Sequence, residues 1–206
     1  MWRRNLVFGG TILCMLNYYK NLLSRWTENM IIRSMENYFD RYITTWKEFN
    51  GTLPQTSWLG EEGQRLYVGE KDKEGYISWL PTKKDDITSF HSIEQKFNIR
   101  FTESVEQYYN SYYFFQMAGW IKEYNINLNP VIPESEPETF LQRLSNYIEE
   151  HNGENNYIPM GIESNGLIVV LNNISGEVCL EDFEAGRFES LGLRLDELIL
   201  NLCFGN

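Results

Sequence analysis

Apolar residues recur at Ile32, Met35, Phe39, Tyr42, Trp46 and Phe49, the spacing of one helix face, and Gly51 followed by Pro54 predicts where that helix stops. Leu66-Tyr67-Val68 and Tyr76-Ile77-Ser78-Trp79-Leu80 flank the polar run Gly69–Gly75, which reads as a hairpin closed off by Pro81. A short helix is expected over Ser92, Ile93, Glu94 and Phe97, ending near Asn98, and Ile99-Arg100-Phe101 reads as a brief extended piece. A second helix is expected from Glu103 to about Gln116, with Ala118-Gly119 as its end. Tyr108 to Phe115 holds six rings, too many for one helix face to bury, so some are expected at a groove or against a loop.

Asn125 to Ile132 alternates weakly, and Pro130 and Pro133 confine it to a sheet edge at best. Ser135-Glu136-Pro137-Glu138 predicts a helix start with Ser135 as N-cap. Its apolar stripe is Phe140, Leu141, Leu144 and Ile148, and it stops near Asn152-Gly153. The strongest strand signal runs from Tyr157 to Glu181. Asn165-Gly166 is a tight-turn pair between apolar runs, because its central residues can take positive φ. Leu167 to Leu171 has no polar interruption and is expected to be buried on both faces. Ser175-Gly176 makes a second turn into a third strand, and Leu191, Leu195, Leu198, Ile199 and Leu202 predict a final helix. Helices segregated from antiparallel strands make an α+β fold, one domain over residues 30–206.

Residues 1–29 differ in character. Arg3 and Arg4 precede an apolar run from Leu6 to Leu16 that is shorter than the roughly 20 residues of a membrane span. No small-x-small cleavage site follows it. The segment reads as an N-terminal extension: a weakly membrane-associating segment, an amphipathic addition to the first helix or, the reading favoured here, sequence translated from an early start codon, since Met30 and Met35 offer later starts.

Charge then narrows the partners. The net charge of −11 argues against nucleic acid, whose binding depends on Lys and Arg reaching phosphates, and favours a basic partner. Cys14, Cys179 and Cys203 form neither a disulfide framework nor a zinc pattern, which suits a reducing compartment; Cys179 reads as a small buried hydrophobe. No nucleophile elbow, zinc-protease helix or phosphate loop occurs. His91 and His151 lie on different predicted elements and read as isolated surface histidines. No catalysis, cofactor or metal is expected. Two carboxylates stand out from the solvated acidic clusters: Glu94, between Ile93 and Phe97, and Glu177, inside a strand, where it needs a partner or an open groove.

Several stretches resemble the Syd family of SecY-interacting proteins, of the SUKH superfamily. They are Tyr38–Tyr42 with Trp46, Ile77–Pro81, Ile93–Ile99, Tyr112–Gly119 and, most specifically, Leu171–Glu181. The resemblance covers roughly Met30 to Leu202. It implies a non-catalytic, cytoplasmic protein, peripheral on the cytoplasmic side of the plasma membrane, whose acidic groove docks on basic cytosolic loops of SecY. It carries a groove role to Trp79, Glu94, Gln116 and Glu177. The superfamily also implies an alternative partner, a basic nuclease-type toxin neutralised by an immunity protein. An enzyme built on Glu94 and Glu177 would need the two carboxylates to face each other in one pocket. A chain starting at Met30 is expected to be soluble and cooperatively folded; aggregation during expression or size-exclusion chromatography would instead assign residues 1–29 to the core.

Overall fold

The computed structural model describes residues 30–204; the N-terminal extension foreseen over 1–29 lies outside the described residues. Helix α1, Met30–Asn50, opens the fold. Its buried face is Ile31, Met35, Tyr38, Phe39 and Tyr42, whereas Phe49 is 73% exposed because the stripe has run past the core. Gly51 takes φ 68° and its N–H closes the helix on Lys47 O at 2.9 Å, as a left-handed C-terminal stop requires. Short strands β1 (Gln55–Ser57), β2 (Tyr67–Val68) and β3 (Tyr76–Trp79) form a sheet in the order β1-β3-β2. The predicted hairpin is β2–β3, with Tyr67 opposite Trp79.

Strand β4 (Thr82–Lys83), helix α2 (His91–Phe97) and helix α3 (Glu103–Ser111) follow. Here the structure corrects the expectation of a helix reaching Gln116. Helix α3 ends at Ser111, and the chain extends at once into β5, Tyr112–Tyr113, which pairs with β4. This switch explains the ring-rich run. A helix would bury one face, but a strand turns successive side chains to opposite sides, so Tyr108, Tyr109, Tyr112, Tyr113 and Phe114 are all buried; the sixth ring, Phe115, is half-buried against Tyr67 and Trp79.

Instead of ending a helix, Ala118-Gly119 lies inside β6, Met117–Ile121. The six-stranded sheet is an antiparallel meander of β6, β7 (Tyr124–Leu128), β8 (Tyr157–Glu163), β9 (Ile168–Asn172), β10 (Glu177–Asp182) and β11 (Arg187–Arg194). Strand β7 is interior, paired with both β6 and β8, and not confined to an edge; it stops at Leu128, before Pro130 can interrupt the ladder. Strand β11 takes Leu191 out of the predicted last helix, which is α5, Leu195–Asn201. Helix α4 is Glu138–Glu150. Its start differs from the Ser135 cap: the Glu136 carboxylate accepts the Phe140 N–H at 3.0 Å and pairs with Arg143 at 2.7 Å.

The expected double burial of the central strand is present. Val169 and Leu171 join the main core, while Val170 on the opposite face packs with Cys179 and with Tyr147 of α4. The sheet also curls, bringing the β6–β7 turn onto β11: Lys122 Nζ donates to Leu191 O at 3.3 Å and Tyr124 OH to Glu189 Oε1 at 2.8 Å. Strand β6 is the other edge, and its outward amide groups are filled. Ala118 N–H donates to Tyr38 OH at 2.8 Å and Ala118 O accepts that hydroxyl at 2.9 Å. Trp120 and Cys203 exchange both backbone hydrogen bonds, at 2.7 and 2.9 Å. The tail comes this close because residue 119 is glycine: a Cβ there would stand 2.8 Å from Cys203 O. Arg41 fixes the same tail from α1, donating to Leu202 O at 3.0 Å and Leu200 O at 2.8 Å.

Tyr38→Phe removes one hydroxyl and strands two edge groups of β6. Urea unfolding is expected to show a loss of about 1–3 kcal/mol, and an unchanged midpoint would mean that water replaces the hydroxyl at this edge.

Candidate functional site

Four residues were carried into a groove by resemblance, and the structure divides them. Trp79 is 1% exposed, its ring 6.0 Å from that of Tyr42 and 5.5 Å from that of Phe115. Its link to Gln116 runs through Tyr42, whose OH donates to Oε1 of that exposed residue at 3.2 Å. Trp79 and Gln116 therefore share one neighbourhood, the first as packing and the second at the surface.

Glu94 belongs elsewhere, on α2. That helix ends where Asn98 adopts the left-handed conformation, φ 51°, which turns the chain back so that Phe101 N–H reaches Glu94 Oε1 at 2.8 Å. The fold-back opens a cleft of about 590 Å³ between α2 and the start of α3, with Glu94, Gln95, Arg100 and Glu106 in its wall. Glu106 is the acidic group the sequence reading passed over. Its carboxyl is raised above the usual range, first by partial burial and then by the negative charge of Glu94, with Arg100 opposing. Two carboxylates thus face one cleft, and their mutual repulsion is relieved by an incoming cation. The i, i+3 spacing of Glu103 and Glu106 at a helix start was the available signal, but it equally describes a first turn favoured by the helix dipole.

Glu177 is not in that cleft, so Glu94 and Glu177 do not face each other as an acid–base pair would require. Glu177 opens β10, opposite Arg194 of β11, and accepts the Ser190 hydroxyl. The turn that precedes it is tied to the chain beside the cleft. Asn173, in the β9–β10 turn, accepts Thr102 N–H at 3.0 Å and donates to Arg100 O at 2.8 Å. Gln116 and Glu177 lie at the same end of the six-stranded sheet, since each sits at the start of a strand and β6 and β10 run in the same direction. Four strand spacings separate them, roughly 19 Å if the sheet were flat.

A second acidic centre is internal. Glu181, 2% exposed, accepts Tyr147 OH at 2.7 Å and faces His151 Nε2 at 2.5 Å. His151 Nδ1 lies 2.6 Å from Tyr147 O, and the imidazole stacks on the Tyr147 ring at 3.9 Å. His151 is therefore no isolated surface residue: its side chain is only 13% exposed, and the turn after α4 folds it back over the sheet. Both ring nitrogens face acceptors, an arrangement that only the doubly protonated imidazolium satisfies. Burial works against that charge, but the hydrogen bonds to Glu181 and to the Tyr147 carbonyl outweigh it and raise the pKa. His91, by contrast, is exposed and contacts Gln95 at 2.9 Å.

Among the described residues no group of three or more His, Cys, Asp or Glu side chains could hold a metal ion, and no helix is long and apolar enough to cross a membrane. Cys179 is buried, as its strand position implied.

A histidine whose pKa rises on folding stabilises the native state fully below its unfolded value, about 6.5, and loses that contribution as pH passes its folded value. The urea midpoint is expected to fall as pH rises through that window. Glu181→Gln is expected to flatten the trend and to cost about 2 kcal/mol near pH 6; an identical pH profile in the variant would separate His151 from it.

Comparisons with known proteins point to the family named for the resemblance. A family model described as Syd protein (SUKH-2) matches residues 32–203. A curated relative, Protein Syd of Idiomarina loihiensis, is 24% identical over 154 residues, covering 73% of this chain and 83% of that protein. Protein Syd of Aliivibrio fischeri is 26% identical over 108 residues, covering 52% of this chain and 57% of the relative. With its α+β architecture and a match spanning nearly all described elements, the chain belongs to the Syd family.

Proposed function

We propose that this protein is a SecY-interacting binding protein that docks peripherally at the cytoplasmic face of the membrane, and that the α2–α3 cleft receives basic residues of SecY's cytosolic loops. The observation that carries this reading is the pair Glu94 and Glu106 in one cleft, the carboxyl of Glu106 raised by burial and by its neighbour's charge. Three other acidic side chains, by contrast, are engaged within the fold. Glu163 accepts Ser164 Oγ and the Asn165 N–H, Glu136 holds Arg143, and Glu181 holds Tyr147 and His151. Glu94 keeps only one internal donor, the Phe101 N–H, and Glu106 has no side-chain hydrogen bond or ion pair among the described residues.

In this reading Glu94 and Glu106 contact the partner's cation. Glu177 extends the acidic surface beyond Asn173, Gln116 forms a more distant polar contact, and Trp79 supports Gln116 through Tyr42. The net charge of −11 steers a basic loop toward the surface and works against other acidic proteins.

The test is binding of the full chain to SecYEG in proteoliposomes. Glu106→Lys breaks no side-chain hydrogen bond or ion pair among the described residues, so its melting temperature is expected to stay at the wild-type value. Its affinity is expected to drop by about tenfold or more, the consequence of turning an attraction into a like-charge contact. Wild-type affinity is expected to fall as salt rises from about 0.1 to 0.5 M. Affinity independent of both the substitution and salt removes the cleft as the docking site. Recovery of a basic toxin instead of SecY from native cytoplasm reassigns the partner.

A further inference from the structure

Beside the cleft lies an apolar notch of about 310 Å³ that charge alone does not explain. Its outer wall is Ile87, on the loop between β4 and α2, which is 88% exposed. An exposed isoleucine on a loose loop would mean little, but this loop is clamped. The Asn110 side chain on α3 accepts Thr88 N–H at 2.8 Å and donates to Thr88 O at 3.1 Å, and Lys84 Nζ donates to Thr88 Oγ1 at 3.1 Å. Ile87 is thus held out in water from an anchored backbone. Ile32 of α1 faces the notch as well, and α3 supplies Glu103 and Glu106. Glu106 lines both hollows, so the notch and the acidic cleft share one side chain as their common wall.

We propose that the two hollows bind one peptide segment of a partner protein, with a Lys or Arg against Glu94 and Glu106 and an apolar side chain such as Leu between Ile87 and Ile32. The proposal rests on the docking reading above and adds a sequence requirement to it. Charge complementarity selects this occupant. Carboxylates at the rim of the notch repel an anionic lipid surface and disfavour a second copy of so acidic a chain. A purely apolar segment would leave them unanswered. Adjacent hollows sharing one residue are bridged by an extended chain, at about 3.3 Å per residue, within two or three positions.

The experiment uses the full chain and three fluorescein-labelled twelve-residue peptides read by anisotropy: one with Lys-Arg followed two positions later by Leu, one with that Leu replaced by Ser, and one with Lys-Arg replaced by Gln-Gln but Leu kept. The first is expected to bind tightest. Ile87→Ser is expected to weaken it about fivefold to tenfold, the scale of burying part of one aliphatic side chain, and to leave the Ser peptide unchanged. Ile87→Leu is expected to restore binding, and neither change should disturb a fold in which residue 87 is solvent-facing.

Equal effects of Ile87→Ser on the first two peptides, or none on either, overturn the notch while leaving the acidic cleft standing. Failure of both basic peptides to bind wild-type protein overturns cleft and notch together. Ile87-dependent self-association in sedimentation, or Ile87-dependent binding to phosphatidylcholine vesicles, also overturns it, by assigning the notch to a second copy or to lipid.

Discussion

An open antiparallel sheet must do something with the hydrogen-bonding groups of its last strand, and in this fold the answer for β6 sets much else. Ala118 is met by the Tyr38 hydroxyl and Trp120 by the backbone of Cys203. Leaving those groups unpaired beside an apolar core would cost free energy at each one. The first helix and the last residues of the fold must therefore converge on the same edge, where Arg41 holds the carbonyls at the end of α5. Because α5 follows β11 directly, filling one edge of the meander also brings the chain from the other edge across to it. The curl seen in the Lys122 and Tyr124 contacts to β11 is consistent with that connection.

The same closure disposes of the ring-rich segment. Tyr108 and Tyr109 face inward from the end of α3, and Tyr112 to Phe114 then alternate sides as the chain extends toward β6. Phe39 of α1 packs on Tyr112 and Phe114, so the helix that fills the β6 edge also covers these rings. Burying them takes most of this run out of any binding groove. What remains exposed is carboxylate chemistry, a few aliphatics and rings elsewhere in the fold, among them Trp58, Trp120 and Phe183.

Acidic residues here fall into two physical groups. Glu136, Glu163 and Glu181 are wrapped by donors from nearby turns and helices and serve the fold. Glu94 and Glu106 line one cleft together with Arg100, and Glu106, which has no side-chain hydrogen bond or ion pair among the described residues, carries a raised pKa. A surplus of negative charge in a chain is a property of composition; a candidate site needs carboxylates that outnumber the cations in one concavity, as Glu94 and Glu106 outnumber Arg100. The function proposed for this Syd-family protein depends on that distinction more than on the total charge.

The hydrophobic pattern by itself determined the α+β class, helix α1 with its Gly51 stop, the β2–β3 hairpin, helix α2 ending at Asn98, and the β8–β9–β10 meander with its doubly buried centre. These are local matters of period, turn chemistry and capping, which a sequence carries in full. Tertiary structure alone decided that α3 stops at Ser111, because strand pairing with β4 and burial on two sides outcompete helical propensity in an aromatic run that suits either. It alone decided that β7 is interior, that Leu191 belongs to a strand, and that His151 folds back onto Glu181, since each depends on partners distant in the chain. The site divides in the same way. Glu94 stood out by its apolar neighbours, but pairing it with Glu106 and not Glu177 required the fold-back at Asn98, which determines which carboxylates share a cavity.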